Sequence, residues 1–285
     1  MATVLITGTS KGIGYDAALL LARAGHEVIA TMRNPGACDL EKVATEAKLP
    51  VRVLRLDVDD DASVAEVFGE VGASVDVLVN NAGIYSIEAA EDEEFEQFQR
   101  VMETNYFGLV RCTKQVLPSM RQRGSGCIIN ISSIAGRIAF GGTSAYNASK
   151  FAVEGFSEAL AQEVKSHGIR VALVEPGIID TPMGTTELPQ FDEKTIYPHG
   201  GRIHKFFTNP EKGEAAPELV GEMIRYVIES GDARLRYPVG PDALPFLGWR
   251  SSVSDEDWVG LGGMTNADYF ERVLSDTGND LRGES

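Results

Sequence analysis

The sequence predicts an α/β protein built on one doubly wound parallel sheet with helices on both faces. Apolar, strand-like runs alternate with helical stretches along the chain, which is the pattern of successive βαβ units. The chain has 285 residues, 43% of them hydrophobic, and can bury the core of one such domain. No tandem repeat or low-complexity linker divides it, so we expect a single domain over residues 1–285.

The strand-like runs support this prediction element by element. The first run, Val4–Ile6, precedes a helix-like stretch at Asp16–Ala24, and a last strand is expected at Leu235–Gly240. The runs between them are Val28–Thr31, Val51–Leu56, Val75–Val79, Cys127–Ile131 and Arg170–Val174. Right-handed βαβ connections make such strands parallel, and ligands then bind beyond their carboxyl ends.

The link between the first strand and the first helix is rich in glycine. A strand, a glycine-rich turn and a helix N-terminus together present backbone N–H groups and a positive dipole end to a pyrophosphate. Three residues separate Gly8 from Gly12, where the usual dinucleotide fingerprint has one. The candidate phosphate-binding residues are Gly8, Ser10, Lys11, Gly12, Ile13 and Gly14.

Tyr146 and Lys150 are the first candidates for chemistry. They stand four residues apart, so a helix places both side chains on one face. The ammonium can then lie near the phenol and favour its ionised form, which makes a tyrosine a usable acid and base near neutral pH. A serine pair, Ser132-Ser133, lies just upstream.

Together these features resemble the short-chain dehydrogenase/reductase family. The resemblance runs from about residue 2 to about residue 183 and rests on five elements in the family's order. They are the glycine turn Gly8–Gly14, Asp57 after an apolar run, Asn80-Asn81-Ala82-Gly83, Ser133 with Tyr146 and Lys150, and Pro176-Gly177 leading to Thr181. The resemblance implies a Rossmann-like fold and an NAD(P)-dependent oxidoreductase.

The family's catalytic set can be placed on this chain. The family's spacing to the tyrosine selects Ser133 rather than Ser132, and Ser133 is expected to hydrogen-bond the substrate carbonyl oxygen. Tyr146 is expected to deliver or remove the proton, and Lys150 to lower the tyrosine pKa and contact the nicotinamide ribose. Asn105 resembles the asparagine that bends a helix and positions a proton-relay water near the lysine.

The same resemblance assigns residues to the remainder of the cofactor. Asp57 matches the aspartate that contacts the adenine amino group. Asn81 resembles a residue that braces the sheet, while the small Ala82 and Gly83 let the backbone approach the ribose. The segment expected to clasp the carboxamide contains Pro176, Gly177, Ile179 and Thr181.

The end of the second strand bears on the choice of cofactor. Family members that prefer NAD hold the adenosine 2′-hydroxyl with an acidic residue at this place. Met32 takes that place here, Arg33 follows it, and Lys11 stands beside Gly12 in the glycine turn. Two cations and no carboxylate favour NADP(H), because arginine can hold a phosphate with paired N–H donors. NAD(H) is the alternative, with Arg33 merely capping the strand end in water.

Beyond Thr181 the resemblance carries less detail. A segment at about 184–213 falls where the family places its substrate-covering elements, and a C-terminal extension follows at about 240–285. We expect the segment to be a mobile lid without a sustained helical pattern before Pro217, and a fixed wall is the alternative. Its candidate substrate-covering aromatic residues are Phe191, Tyr197, Phe206 and Phe207.

Composition limits the partners and the location. The net charge of −16 disfavours nucleic acid and anionic membranes as partners. Neither a signal peptide nor an apolar run of about 18 residues is found, so a cytoplasmic protein is expected. The cysteines and histidines lack the spacing of a disulfide framework or a zinc site, so we expect no metal.

A homodimer is the expected assembly. In the family, the helices that carry the residues matching Asn105 and Tyr146 form the common dimer interface. The second of these helices has apolar positions enough to cover both the sheet and a partner, namely Phe151, Val153, Phe156 and Leu160.

The sequence therefore predicts an NADP(H)-dependent oxidoreductase that interconverts a secondary alcohol and a ketone on a hydrophobic small molecule. Two alternatives stay open, an epimerase or dehydratase on the same scaffold and a regulator that senses nucleotide without turnover. The intact set of Asn105, Ser133, Tyr146 and Lys150 argues against the regulator, because a sensor has no need of a proton path. The substrate itself is not predicted.

Overall fold

A parallel sheet of seven strands forms the centre of the described residues, which are 1–184, 195–208 and 215–281 of a computed structural model. The strands are β1 Thr3–Thr7, β2 Glu27–Met32, β3 Val51–Arg55, β4 Val77–Asn80, β5 Gly126–Ile131, β6 Ile169–Pro176 and β7 Arg236–Val239. In space they lie in the order β3-β2-β1-β4-β5-β6-β7. The order reverses between β1 and β4, and open α/β sheets bind ligands in the crevice at such a switch point.

Helices lie on both faces of this sheet. Within the described ranges, no helix is both long enough and apolar enough to cross a bilayer. The helices are α1 Gly12–Arg23, α2 Leu40–Glu46, α3 Asp61–Val71, α4 Phe95–Met102, α5 Gly108–Arg123, α6 Ser144–Val164, α7 His199–Thr208, α8 Glu218–Ser230, α9 Ala243–Ser252, α10 Asp255–Gly260 and α11 Asn266–Thr277.

The central strands are buried from both sides. In β1, Val4, Leu5 and Ile6 are all fully buried. Val4 and Ile6 belong to the apolar core that includes α1 and α8, whereas Leu5 belongs to the core that includes α3 and α5. This double burial explains why the strand is a continuous apolar run rather than an alternating one. The predicted α/β class is confirmed.

The predicted elements are present, with ends that differ by a few residues. The run predicted at Arg170–Val174 is β6, which continues to Pro176 and so carries its carboxyl end closer to the site. Helix α1 begins at Gly12 rather than at the predicted Asp16. The last part of the glycine turn is therefore the first turn of the helix itself, which brings the helix N-terminus to the strand end.

The expectation of no helical pattern before Pro217 is wrong, because α7 occupies His199–Thr208. Its buried side carries Ile203 and Phe206, three residues apart. This apolar stripe is too short to predict a helix from the sequence, and it stabilises one only by packing against another apolar surface of the chain. The C-terminal extension provides that surface, since α9 and α11 belong to the same apolar core as these two side chains.

Arg202 ties α7 to the extension at a second point. Its side chain is buried, and Nε donates a hydrogen bond of 2.9 Å to Asn266 Oδ1. Its Nη1 and Nη2 groups donate to the backbone carbonyls of Leu261 and Met264. The guanidinium also lies 4.5 Å from the ring centroid of Tyr269. Helix α7 is thus held by a buried charge as well as by apolar contacts.

Arg202→Ala should lower the free energy of unfolding by about 3 kcal/mol, because it leaves buried carbonyl and amide acceptors without donors. Urea titration followed by circular dichroism measures this change. Arg272→Ala is the matched control on α11, since it removes an arginine whose ion pair with Asp276 is partly exposed. The control should cost less than about 1 kcal/mol. Equal losses in the two variants would contradict the anchoring role of Arg202.

Candidate active site

The glycine-rich turn after β1 forms a narrow cradle at the start of α1. Gly8 has a φ of +72°, in the left-handed region that favours glycine. A Cβ on Gly14 would lie 2.5 Å from both the Gly8 carbonyl oxygen and Asn81 Nδ2. Asn81 Nδ2 donates hydrogen bonds of 2.9 Å to the Thr7 carbonyl and 3.0 Å to the Gly8 carbonyl. The turn is therefore braced from the loop after β4.

The segment after β6 faces this cradle. A Cβ on Gly12 would lie 3.4 Å from Cβ and Cγ2 of Thr181, so the two segments almost touch. A Cβ on Gly177 would clash with the Asp242 carboxylate, which accepts a 2.8 Å hydrogen bond from the Ile178 backbone N–H. Asp242 thus fixes the path of this segment. Asp242 was not predicted from the sequence, although its position just after the last predicted strand could have indicated a site residue.

The outer end of the cradle carries positive charge. Met32 ends β2 and is buried, while Arg33 and Lys11 are exposed beside it along the sheet edge. Asp57, after β3, is partly buried and its Oδ1 accepts a 3.2 Å hydrogen bond from the Asp59 backbone N–H. The position that an acidic residue would take at the end of β2 holds an apolar side chain.

Asn105 lies in a π-helical turn, Glu103–Phe107, between α4 and α5. Its Oδ1 accepts a 2.8 Å hydrogen bond from the Ile84 backbone N–H, and its Nδ2 donates to the Ile84 carbonyl at 2.9 Å. Nδ2 also donates to Ser149 Oγ on α6 at 3.0 Å. A π turn interrupts the regular helix and is frequent at functional sites. Asn105 thereby joins the loop after β4 to the helix that carries Tyr146.

Ser133, Tyr146 and Lys150 come together beyond the ends of β5 and β6. Ser133 lies beside Tyr146, and its Oγ donates a 3.4 Å hydrogen bond to the Pro176 carbonyl oxygen. Lys150 Nζ donates a 2.8 Å hydrogen bond to the Ile131 carbonyl and lies 5.6 Å from the Tyr146 ring centroid. The ammonium thus faces the phenol ring from the same helix, as the four-residue spacing predicts.

The protonation of this group differs from the sequence expectation. Burial raises the pKa of Tyr146 to about 12, and the hydrogen bond from Ser133 only partly opposes that rise. Burial also lowers the pKa of Lys150 to about 8, while the nearby Glu154 carboxylate acts in the other direction. Burial thus raises the tyrosine pKa, whereas the sequence led us to expect that Lys150 would lower it.

Comparison with known proteins gives this constellation its context. The short chain dehydrogenase family matches residues 2–191. The chain belongs to the short-chain dehydrogenase family. It is 36% identical over 267 residues to oxidoreductase BOA17 of Botryotinia fuckeliana, covering 89% of this chain and 95% of that protein. It is 37% identical over 246 residues to 3-ketodihydrosphingosine reductase of Bacteroides thetaiotaomicron, covering 84% and 87%.

A solved structure agrees with this assignment. The short-chain dehydrogenase from Streptomyces avermitilis superposes with a TM-score of 0.79 and 32% sequence identity, over 93% of this chain and 99% of that one. The protein is thus an NAD(P)-dependent dehydrogenase or reductase of this family and acts on small molecules. The single-domain, Rossmann-like fold predicted from the sequence is confirmed.

The short-chain dehydrogenase cradle fits a dinucleotide. Gly14 packs so closely against the Gly8 carbonyl oxygen that only glycine lets the start of α1 reach the end of β1, where its backbone N–H groups can hold a pyrophosphate. Thr181 approaches Gly12 from the segment after β6. In the described ranges, no group of three or more His, Cys, Asp or Glu side chains is placed to hold a metal ion. The predicted cofactor residues all lie at this carboxyl edge, namely Gly8, Ser10, Lys11, Gly12, Ile13, Gly14, Arg33, Asp57, Asn81, Ala82, Gly83, Tyr146, Lys150, Pro176, Gly177, Ile179 and Thr181.

Aromatic rings border Tyr146. The Tyr85 ring meets the Tyr146 ring edge-on, with centroids 4.4 Å apart, and the Phe207 ring lies 5.6 Å from Tyr85. Phe207 was expected to cover the substrate, whereas Tyr85 was not predicted at all. The position of Tyr85 just after Gly83, in the loop that follows β4, could have indicated that it borders the site. The approach to Tyr146 is thus bounded by aromatic surface.

The remaining aromatic residues of the predicted lid have different surroundings. Phe206 is buried and lies 5.9 Å from the Phe246 ring, centroid to centroid, so it anchors α7 to the extension. The Tyr197 hydroxyl donates to the Glu91 carboxylate near the surface. Phe191 lies outside the described residues. The anchored α7 agrees with the alternative of a fixed wall, and lid motion itself stays a prediction.

A group of charges, here called the ionic cluster, lies near Lys150 and consists of the buried Glu154 and Glu175 with the more exposed Arg137 and Arg236. Glu175 and Glu154 are only 0% and 5% exposed. Arg236 Nε donates to Glu154 Oε2 at 2.9 Å and lies 3.4 Å from Glu175 Oε1. Arg137 Nη1 lies 3.5 Å from the same Glu175 oxygen. Two buried carboxylates thus share one guanidinium. Neither Glu154 nor Glu175 was predicted from the sequence.

Burial and the nearby Glu154 charge raise the pKa of Glu175 to about 7. Because the folded protein then holds this proton more tightly than the unfolded chain, the stability that Glu175 contributes at low pH should be lost as the pH rises through about 7. Glu175→Gln stays neutral and should lose less stability than the wild type between pH 5 and pH 8. Urea unfolding at both pH values measures this. Parallel pH dependence in the two proteins would contradict the raised pKa.

Proposed function

We propose that this protein is an NADP(H)-dependent oxidoreductase that interconverts a secondary alcohol and a ketone on a hydrophobic small molecule. The observation that carries the proposal is the convergence of Ser133, Tyr146 and Lys150, with the Lys150 ammonium 5.6 Å from the Tyr146 ring centroid. These groups supply a proton donor, a hydrogen bond to a carbonyl oxygen and a cation beside the developing phenolate. A relative named 3-ketodihydrosphingosine reductase supports a ketone as the substrate.

In the reductive direction, Tyr146 donates its hydroxyl proton to the substrate carbonyl oxygen. Its pKa of about 12 keeps the phenol protonated at neutral pH, which is the form that delivers a proton. Ser133 donates a hydrogen bond to the same oxygen, and Lys150 stabilises the phenolate that remains. Asn105 holds the Ile84 loop against α6 and so keeps Tyr146 in position. NADPH, when bound, supplies the hydride to the carbonyl carbon.

The substrate class follows from the surface beside Tyr146. Tyr85 and Phe207 place aromatic rings next to the catalytic tyrosine, and Gly184 packs closely against the Phe207 ring. Apolar substrate groups would displace water from these rings, which favours binding by about 25 cal/mol per Å² of buried apolar surface. A hydrophobic ketone therefore fits this side of the site better than a sugar or a charged acid.

Tyr146→Phe should reduce ketone turnover by about 10²–10⁴-fold, because it removes the proton donor and retains the ring. The oxidation of NADPH with a panel of apolar ketones, followed at the nicotinamide absorbance, measures the loss. Cofactor binding should survive in the variant. Tyr226→Phe is the control, since it removes the hydroxyl of an exposed tyrosine on α8. Near-normal turnover by Tyr146→Phe with cofactor bound would end the proposed mechanism.

Arg33→Ala should weaken NADPH binding by roughly 1.5–3 kcal/mol, the value of a hydrogen bond to a charged group, if Arg33 and Lys11 hold the 2′-phosphate. NADH, which lacks that phosphate, serves as the internal control and should bind the variant almost as well as the wild type. Met32→Asp should shift the preference toward NADH. A wild-type enzyme with higher kcat/KM for NADH than for NADPH would refute the assignment.

A homodimer through α5 and α6 is part of this proposal. Val153 and Leu160 pack inside the chain rather than toward a partner, but Phe151 on α6 and Phe107 beside α5 are each 46% exposed. Two large exposed rings on the expected interface favour association. Light scattering at micromolar concentration should give the dimer mass, and Phe151→Glu should lower it. A wild-type monomer would count against the interface.

A further inference from the structure

The ionic cluster connects the segments that carry the candidate catalytic residues. Glu154 stands one helical turn after Lys150 on α6, and Glu175 directly precedes Pro176, whose carbonyl lies beside Ser133 Oγ. Arg137 follows the short 3₁₀ turn Ile134–Gly136 that Ser133 caps. Packing is tight here, since a Cβ on Gly136 would lie 2.9 Å from Glu154 Cγ and 3.0 Å from the Lys150 carbonyl oxygen.

We propose that Glu154 is a positioning residue for the reaction, which keeps the Lys150 side chain charged from one helical turn away, and that the hydrogen bond from Arg236 holds Glu154 in that role. This inference rests on the proposed function, because it assigns a task to a residue behind the same site. Glu154 does not contact the substrate in this scheme, and it acts through the lysine alone.

Lys150 is 6% exposed, and its hydrogen bond goes to a neutral backbone carbonyl, that of Ile131. Burial of an ammonium without a carboxylate partner favours the neutral amine, which would end its support of the phenolate. Glu154, four residues further along the same helix face, is the carboxylate whose charge opposes that change.

Like charges that share one site push their pKa values apart, so that one group keeps its proton and the other stays ionised. Glu175 is the group with the raised pKa, and Glu154 makes the shorter contact with Arg236, at 2.9 Å against 3.4 Å. Glu175 therefore holds its proton more tightly than an exposed carboxyl group does, while Glu154 accepts the shorter hydrogen bond from the Arg236 guanidinium.

The charged groups around Glu154 come from each element packed against it. Lys150 and Glu158 share its helix, Glu175 comes from β6, Arg236 from β7, and Arg137 from the turn after Ser133. Glu158 accepts a 2.7 Å hydrogen bond from Arg236 Nη2 but has a largely exposed side chain. Glu158, like Glu154, is a glutamate that accepts a hydrogen bond from Arg236, but its side chain is exposed. It therefore provides a matched comparison.

The test measures the titration of Lys150 directly, by NMR of ¹⁵N-lysine-labelled full-length protein, with the resonance assigned through Lys150→Met. Glu154→Gln should lower the pKa of Lys150 by about one unit, since it removes an opposite charge. Glu158→Gln should leave that pKa unchanged. Glu154→Asp keeps the charge and should recover most of the wild-type value. If Glu154→Gln does not fold, a partial downward shift in Glu154→Asp supports the same conclusion.

A kinetic readout accompanies the titration. With the lysine pKa one unit lower, the turnover of Glu154→Gln relative to wild type should fall about fivefold between pH 6 and pH 8. A merely structural role would lower activity equally at both pH values and leave the Lys150 titration in place, and that result would overturn the inference. If the titration shifts as expected but the wild type turns over no ketone, the inference about Lys150 stands and the proposed function fails.

Discussion

Close packing at the turn between β1 and α1 is the constraint on which the site depends. Gly14 lies so near the Gly8 carbonyl oxygen that a Cβ would reach it at 2.5 Å, and this approach brings the helix N-terminus to the strand end. Asn81 uses the same proximity to hydrogen-bond the turn from the loop after β4. That loop continues to Ile84, where Asn105 links it to α6. The dinucleotide cradle and the catalytic helix are therefore parts of one connected framework.

The electrostatics of the site are set by burial. An ammonium, a phenol and two carboxylates lie within a few turns of one another, in surroundings that disfavour charge. Buried ion pairs are weak contributors to stability, because desolvation offsets much of the attraction. The ionic cluster is therefore better explained by its proposed effect on Lys150 than by a contribution to the stability of the fold. Lys150 connects the cluster with Tyr146, since it lies one helical turn before Glu154 on α6 and its ammonium faces the Tyr146 ring.

The two sides of the site come from different parts of the chain. The cofactor side is built from the ends of β1 to β4 and from the segment after β6, where local motifs dictate the backbone path. The proposed substrate side consists of Tyr85 and α7, and α7 is held by Arg202 and the extension beyond β7. Variation in the second group can thus change the substrate while the framework that holds the dinucleotide stays constant.

The sequence by itself determined the elements whose physics is local. Apolar runs specified buried strands, Gly8 and Gly14 specified the turn that only glycine allows, and the spacing of Tyr146 and Lys150 specified one face of a helix. Tertiary structure decided what depends on distant partners. The pKa values of Tyr146 and Lys150 follow from desolvation, which no spacing reveals.

The same reason explains the features that sequence reasoning missed. Helix α7 has a short apolar stripe that is stable only against the extension, and the pairing of Glu154 with Glu175 requires Arg236 from the far end of the chain. Such contacts join residues that the sequence keeps far apart. Local sequence patterns therefore determined the parallel sheet, the glycine turn and the candidate reacting groups. Only the folded structure determined the burial and the charges around those groups and the aromatic surface beside them.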